Sequence, residues 1–326
     1  MNKVFDYKDI NLVPDYSDIK SRSECDTSVK IGNMNFKIPH IPANMESVIN
    51  TKICIDLAKN GYFYILHRFL TKEEIKSFII GMKKNNLPTS ISIGVKKEWY
   101  GFIDDLIENN LIPDYITIDI AHGHSIMMKQ MLNYLKNKNV NTFIIAGNVS
   151  TVRGANFLLE NGADSIKIGI GPGNACTTAH NSGFGSRKIQ ASILKEIADS
   201  AWCPGKPKPF IIADGGVKYP SDVAKALTLG ADAVMCGSLF SGTSDSPGGI
   251  IEKGSEKFIR YWGSASEHQS GKSDRIEGTE KLIPYKGKSF LEQCKFLEQC
   301  MQSSLSYNGS KNITNFKKTA EYLFNN

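Results

Sequence analysis

Nowhere in the chain do two cysteines form a Cys-x-x-Cys pair, and the seven present, at 25, 54, 176, 203, 236, 294 and 300, make an odd count. A zinc ribbon needs closely spaced thiolates and a disulfide scaffold needs an even set, so both are disfavoured. Long apolar stretches are missing too. No run reaches the roughly 18 residues of a membrane-spanning helix, and the opening MNKVFDYKDINLVPDYSDIK carries acids and no apolar signal core. The expected setting is the cytoplasm, with no membrane partner. Charge of one sign is scarce: 39 Lys and Arg against 33 Asp and Glu leave a net +6. The lysines gather in helical segments such as 83–86 and 136–138, which read as solvated faces and not as a nucleic-acid surface. Small anions remain suitable ligands.

What is present is a repeated alternation. Eight short β-rich runs recur, at 36–43, 61–68, 90–95, 115–121, 142–147, 165–170, 209–216 and 233–238. Most are nearly continuous apolar runs, as expected of strands covered on both faces. The segments between them mostly have amphipathic helical spacing, for example 72–83, 125–137, 152–161 and 220–229, the last starting with Pro220 and Ser221 and stopping at Gly230. Strand and helix repeated eight times predict an α/β fold of the (β/α)8 TIM-barrel type, one domain over 1–326. A doubly wound sheet gives a similar alternation. It is disfavoured because the glycine-rich turn after the sixth run contains Pro172 and leads into polar loop, where a dinucleotide fingerprint would open a helix.

Spacing shows where function sits. Successive runs start 23 to 29 residues apart until the sixth, after which the gap is 44. The excess hangs from the strand end that carries Cys176, on the face where barrels build active sites. A second insertion, 241–288, rich in Gly, Ser and charge, reads as a mobile flap.

A cysteine raised from a rigid strand end into a hydroxyl-rich loop is a candidate nucleophile, since the thiolate needs access and a proton relay. A lone cysteine is otherwise a small buried hydrophobe. Thr178, two residues on, can relay a proton only if a carboxylate orients it. Glu277 in the flap is the candidate, against the plainer reading of a solvated surface glutamate. The seventh and eighth runs end in IIADGG and MCGSL. There Gly215, Gly216, Gly237 and Ser238 let backbone amides approach a phosphate, and Asp214 can accept from ribose hydroxyls. His122 and His124 lack a third ligand at recognisable spacing, so a polar rim beside Asp119 is preferred to zinc. Ser21, Arg22 and Ser23 suit a phosphate or an ordinary loop.

These pieces together resemble the IMP dehydrogenase/GMP reductase family, on its reductase side. The resemblance rests on SRSECDTSV (21–29), IPANMESVI (41–49), NGYFYILHRF (60–69), ITIDIAHGHS (116–125), IAGNV (145–149), KIGIGPGNACTT (167–178), SGFG (182–185), IIADGG (211–216), GSLFSG (237–242), YWGSASE (261–267) and SSLSYNG (303–309). It implies an NADPH-dependent reductive deamination of GMP to IMP and ammonia, a step of purine salvage. Cys176 would attack C2 of the purine to give a covalent thioimidate, with Thr178 and Glu277 relaying the proton. Asp214, Gly215, Gly216, Gly237, Ser238, Gly263, Ser264, Ala265, Arg275 and Gly278 would hold the substrate. Ser21, Arg22, Arg68, Asp119, Ile120, Ala121, Ser303 and Ser306 would line the cofactor site. The carbonyls of Gly171, Gly173 and Cys176 would form a potassium loop, and the assembly would be a homotetramer.

Two departures stand out. Where reductases commonly carry a basic residue after the CTT run, this chain has Ala179 and His180, and Arg275 sits one place from the arginine expected near the base. Two other readings stay open. A dehydrogenase without the usual regulatory insertion is opposed by Arg275-Ile276, where such enzymes place an Arg-Tyr pair. A non-catalytic nucleotide barrel, or a flavin enzyme on the same phosphate loops, is opposed by the joint presence of Cys176, Thr178 and Glu277.

Overall fold

Seven parallel strands form one curled sheet in the order His40–Pro42, Ala233–Cys236, Phe210–Asp214, Ser165–Ile168, Phe143–Val149, Tyr115–Asp119 and Ser90–Ile93. The structure is a computed structural model and describes residues 4–200, 202, 208–271, 274 and 276–325. Strand Ser90–Ile93 passes on to the remaining run: Leu66 bridges Ile91 in parallel, with Leu66 N donating to Ser90 O (3.1 Å) and Ser92 N to Leu66 O (2.8 Å). All eight expected runs thus lie in the wall of an α/β barrel, although 61–68 contributes a bridge and not a full strand. Its Tyr64 hydroxyl donates to the carbonyl of Pro88, a residue with no N–H to offer a ladder.

Helices cover the sheet where the apolar spacing places them. Lys72–Lys84 opens with a reciprocal cap between Thr71 and Glu74 and buries Ile75, Phe78, Ile79 and Met82. Ser125 caps Ile126–Asn137, Thr151 caps Val152–Glu160, and Pro220 begins Pro220–Thr228. The 241–288 insertion contains a three-stranded antiparallel sheet of Ile250–Lys253, Glu256–Trp262 and Glu280–Pro284. Two small antiparallel pairs have no counterpart in the sequence reading: Ile10–Val13 with Glu321–Phe324, and Val29–Ile31 with Met34–Phe36. Their strands are too short for alternation to show.

His40 lies on the first barrel strand, 1% exposed, with neither ring nitrogen hydrogen-bonded among the described residues. Burial holds its imidazole neutral down to about 3. The unfolded chain takes up that proton near 6.5, so this stabilisation is present above pH 6.5 and is lost as pH falls toward 3, by roughly 1.4 kcal/mol per pH unit. In His40→Gln the slope of unfolding free energy against pH between about 6.5 and about 4 becomes shallower by that amount. Urea titrations at stepped pH check it, and an unchanged slope removes His40 from the acid response.

Candidate active site

The strand Ser165–Ile168 delivers the chain to Gly169 and into the long sixth connection, where Cys176 precedes a short helix, Thr178–Ser182. A segment of the 241–288 insertion is laid against this loop. Thr177 N donates to Glu277 O (2.9 Å), Thr279 N donates to Ala175 O (2.8 Å), and Cys176 forms an antiparallel bridge with Gly278. On its other side the segment meets the 263–266 loop, Glu277 N donating to Ala265 O (3.0 Å). Gly278 is held between the two backbones, and a Cβ there would lie 2.9 Å from Ser266 N.

That register fixes the chemistry. Thr178 Oγ1 donates to Glu277 Oε2 at 2.6 Å and lies 3.2 Å from Cys176 Sγ. Sulfur, hydroxyl and carboxylate form one continuous hydrogen-bonded chain across two loops 99 residues apart in sequence. Thr178 is buried, while Cys176 and Glu277 are half-buried. Glu277 is therefore not the solvated surface group that sequence alone favoured.

Cys176, Thr178 and Glu277 open onto a cleft lined also by Gly263, Ser264, Ala265 and Asp214 and, on another side, by Arg68, Asp119, Ile120 and Ala121. Gly171 and Gly173 of the cysteine loop line it as well. Gly215, Gly216, Gly237, Ser238 and Gly278 are not among the residues that line it. Gly215 has φ +86°, and a Cβ there would sit 2.9 Å from Pro172 Cγ, so this glycine lets the seventh strand end approach the cysteine loop. Lys286 braces the eighth strand end, donating to Ser238 O (2.9 Å) and Leu239 O (2.8 Å), and burial pulls its ammonium down to about 8. Arg275 lies outside the described residues.

The expected cofactor residues divide. Arg68, Asp119, Ile120 and Ala121 are in the cleft, whereas Ser21, Arg22, Ser303 and Ser306 are not among its lining. Arg22 Nη1 donates to Ser303 Oγ (3.0 Å) beside Tyr307, on the helix Phe290–Tyr307. The cleft group fits a nicotinamide nucleoside: Arg68 Nε is buried without a partner among the described residues, and the Asp119 carboxylate is 20% exposed, offering a donor and an acceptor to amide and hydroxyls. The cation loop fits less well. Gly173 O accepts from Cys176 N (3.1 Å), and Cys176 O accepts from Arg187 Nη1 (3.3 Å). A guanidinium thus brings positive charge to a carbonyl that potassium would need, and the residues present do not suit a bound ion. His122 and His124 have ring centroids 6.3 Å apart, and His124 packs on Phe157 at 4.6 Å.

Sequence reasoning missed Lys167, Asn148 and Lys286. Lys167 is a lone charge in the apolar run SIKI, all four residues of which are buried, and that mismatch was the available signal. Asn148 Nδ2 donates to Asp214 Oδ2 (2.8 Å) and Gly169 O (2.6 Å). It stands in the IAGNV run (145–149), which gives no sign of this contact.

Comparison with known proteins gives a consistent picture. The IMP dehydrogenase / GMP reductase domain model matches residues 4–325. The chain is similar to the GMP reductase of Lactobacillus delbrueckii subsp. bulgaricus, 44% identical with 99% of this chain and 96% of the relative covered. It is similar to that of Ligilactobacillus salivarius, 45% identical with 99% and 97% covered, and of Clostridium acetobutylicum, 46% identical with 99% and 96% covered. Among the described residues no helix is long and apolar enough to cross a membrane.

Proposed function

The chain belongs to the IMP dehydrogenase / GMP reductase family, and on that premise we propose that it reduces GMP to IMP and ammonia with NADPH. The observation that carries this reading is the chain from Cys176 Sγ through Thr178 Oγ1 to Glu277 Oε2. It pairs a nucleophile with a proton path, which a binding-only barrel does not need.

Cys176 Sγ bonds to C2 of the purine, and its proton passes through Thr178 toward Glu277. Glu277 returns a proton along the same path to the 2-amino nitrogen, the C2–N bond breaks, and ammonia leaves a thioimidate on Cys176. When bound, the reduced nicotinamide supplies hydride to that carbon. Cleavage of the C2–S bond then frees Sγ and IMP. Asp214 accepts from the ribose hydroxyls, and the amides at Gly216, Gly237 and Ser238 take the phosphate. Asp119 and Arg68 orient the nicotinamide nucleoside, while Ser264 and Ala265 flank the base. We include a homotetramer in the proposal, with mass measurement in solution as its check.

Incubation with GMP and NADPH is expected to lower absorbance at the nicotinamide band with ammonia released in equal amount. If GMP gives no oxidation while IMP with NAD gives reduction, the direction is reversed. Because Arg187 already serves the Cys176 carbonyl, turnover is expected to stay within about twofold when choline replaces potassium. Arg187→Ala is expected to make potassium stimulatory. A strong potassium requirement in the unaltered protein overturns this assignment of Arg187.

A further inference from the structure

The carboxylate assigned to the substrate ribose and the one assigned to the cofactor share a single cation. Lys167 Nζ lies 2.7 Å from Asp119 Oδ1 and 3.0 Å from Asp214 Oδ2, and its side chain is 1% exposed against 20% for each carboxylate. The lysine rises from the strand Ser165–Ile168 between the strands that end in Asp119 and Asp214. Room for it is made by Gly147, where a Cβ would lie 2.5 Å from Lys167 Cβ. Its third near neighbour is a weak acceptor, Met235 Sδ, at 3.8 Å.

A buried ammonium is retained only where it is paired and hydrogen-bonded. Burial pulls the proton off Lys167, but the two carboxylates outweigh that pull and hold it above the usual lysine range. Burial likewise pushes Asp119 up, and the lysine's charge brings it below the usual carboxylate range. The other titratable groups facing the pair are Arg68 toward Asp119, and Tyr7, Tyr261 and Cys236 toward Asp214. Burial keeps the last three protonated. Among the described residues Lys167 bonds both carboxylates, and Arg68 faces Asp119.

We propose that Lys167 is a positioning residue that joins the two nucleotide subsites, turning the Asp119 and Asp214 carboxylates toward cofactor and substrate as one electrostatic unit. Each carboxylate spends one oxygen on the ammonium and presents the other to a ribose. The inference rests on the reductase reading of the cleft.

Dissociation constants for GMP and for NADPH, measured separately by calorimetry on the intact protein, test it without reference to turnover. Lys167→Met is expected to weaken both by about tenfold or more. Asp119→Asn is expected to weaken NADPH alone and Asp214→Asn GMP alone. Lys167→Gln, which retains a donor without the charge, gives the same paired loss and serves if the methionine variant does not fold. Lys167→Arg, which keeps the charge and donors for both carboxylates, brings both dissociation constants back to within about threefold of the unaltered protein. Loss confined to one nucleotide, or an arginine variant as impaired for both nucleotides as the methionine variant, overturns the proposal. If the unaltered protein binds neither nucleotide, the reductase reading fails first. Normal binding with a one-sided Lys167 effect sinks only this inference.

Discussion

In Cys176→Ala, turnover of GMP falls by at least about a thousandfold while the dissociation constant for GMP changes less than about threefold. The asymmetry follows from where the sulfur sits. Its side chain meets the Thr178 hydroxyl, and the proposed grip on the nucleotide comes from other strand ends, at Asp214, Gly216, Gly237 and Ser238. Removing Sγ deletes the atom that bonds to the purine and leaves the backbone of the loop held by Thr279 N on Ala175 O and by the Cys176–Gly278 bridge. Quenched mixtures with GMP analysed by mass spectrometry give the complementary readout. The unaltered protein yields a nucleotide adduct at position 176 and the alanine variant yields none. Appreciable turnover in Cys176→Ala excludes covalent catalysis at this residue.

How much of this arrangement the chain discloses unfolded depends on whether the interaction is local. The barrel strands were legible because burial on both faces demands unbroken apolar runs, and every run from 90 onward contains a strand of the sheet. Cys176 and Thr178 were legible as a pair because they are two residues apart on one loop. Glu277 was legible only as a candidate weighed against a solvated surface glutamate, because its place depends on a backbone register between two loops far apart in sequence, Thr177 N to Glu277 O and Glu277 N to Ala265 O. The family resemblance gave it the relay role. Lys167 was hidden for a related reason: Asp214 ends the neighbouring strand on one side and Asp119 the second strand away on the other, across Phe143–Val149, and a lysine in SIKI carries no mark of what it faces. Arg187 shows the converse. Ala179 and His180 stand where reductases commonly carry a basic residue, and the fold brings a guanidinium to the Cys176 carbonyl from 11 residues further on.

Glu277→Gln separates the two halves of the reaction. Glutamine preserves the length and can still accept the Thr178 hydroxyl through its amide oxygen, so the 2.6 Å contact and the loop register survive. What it cannot do is take up and return a proton. Deamination needs that return, because the amine leaves C2 only as ammonia, and it is expected to slow by about 10²- to 10⁴-fold. Hydride transfer needs no proton on nitrogen. It can be followed alone in reverse: Cys176 gives up its thiol proton, which in the glutamine variant goes to water in the open cleft, and IMP with the oxidised cofactor forms the covalent adduct and reduced cofactor in a single burst that Glu277→Gln slows by less than about tenfold. Thr178→Val, which cuts the same path one atom nearer the sulfur, is expected to reproduce the split. The opposite pattern, equal loss at both steps in the glutamine variant, would mean that Glu277 organises the loop and moves no proton. The carboxylate would then be a strut between the cysteine loop and the insertion, and the leaving amine would have to draw its proton from another donor in the cleft.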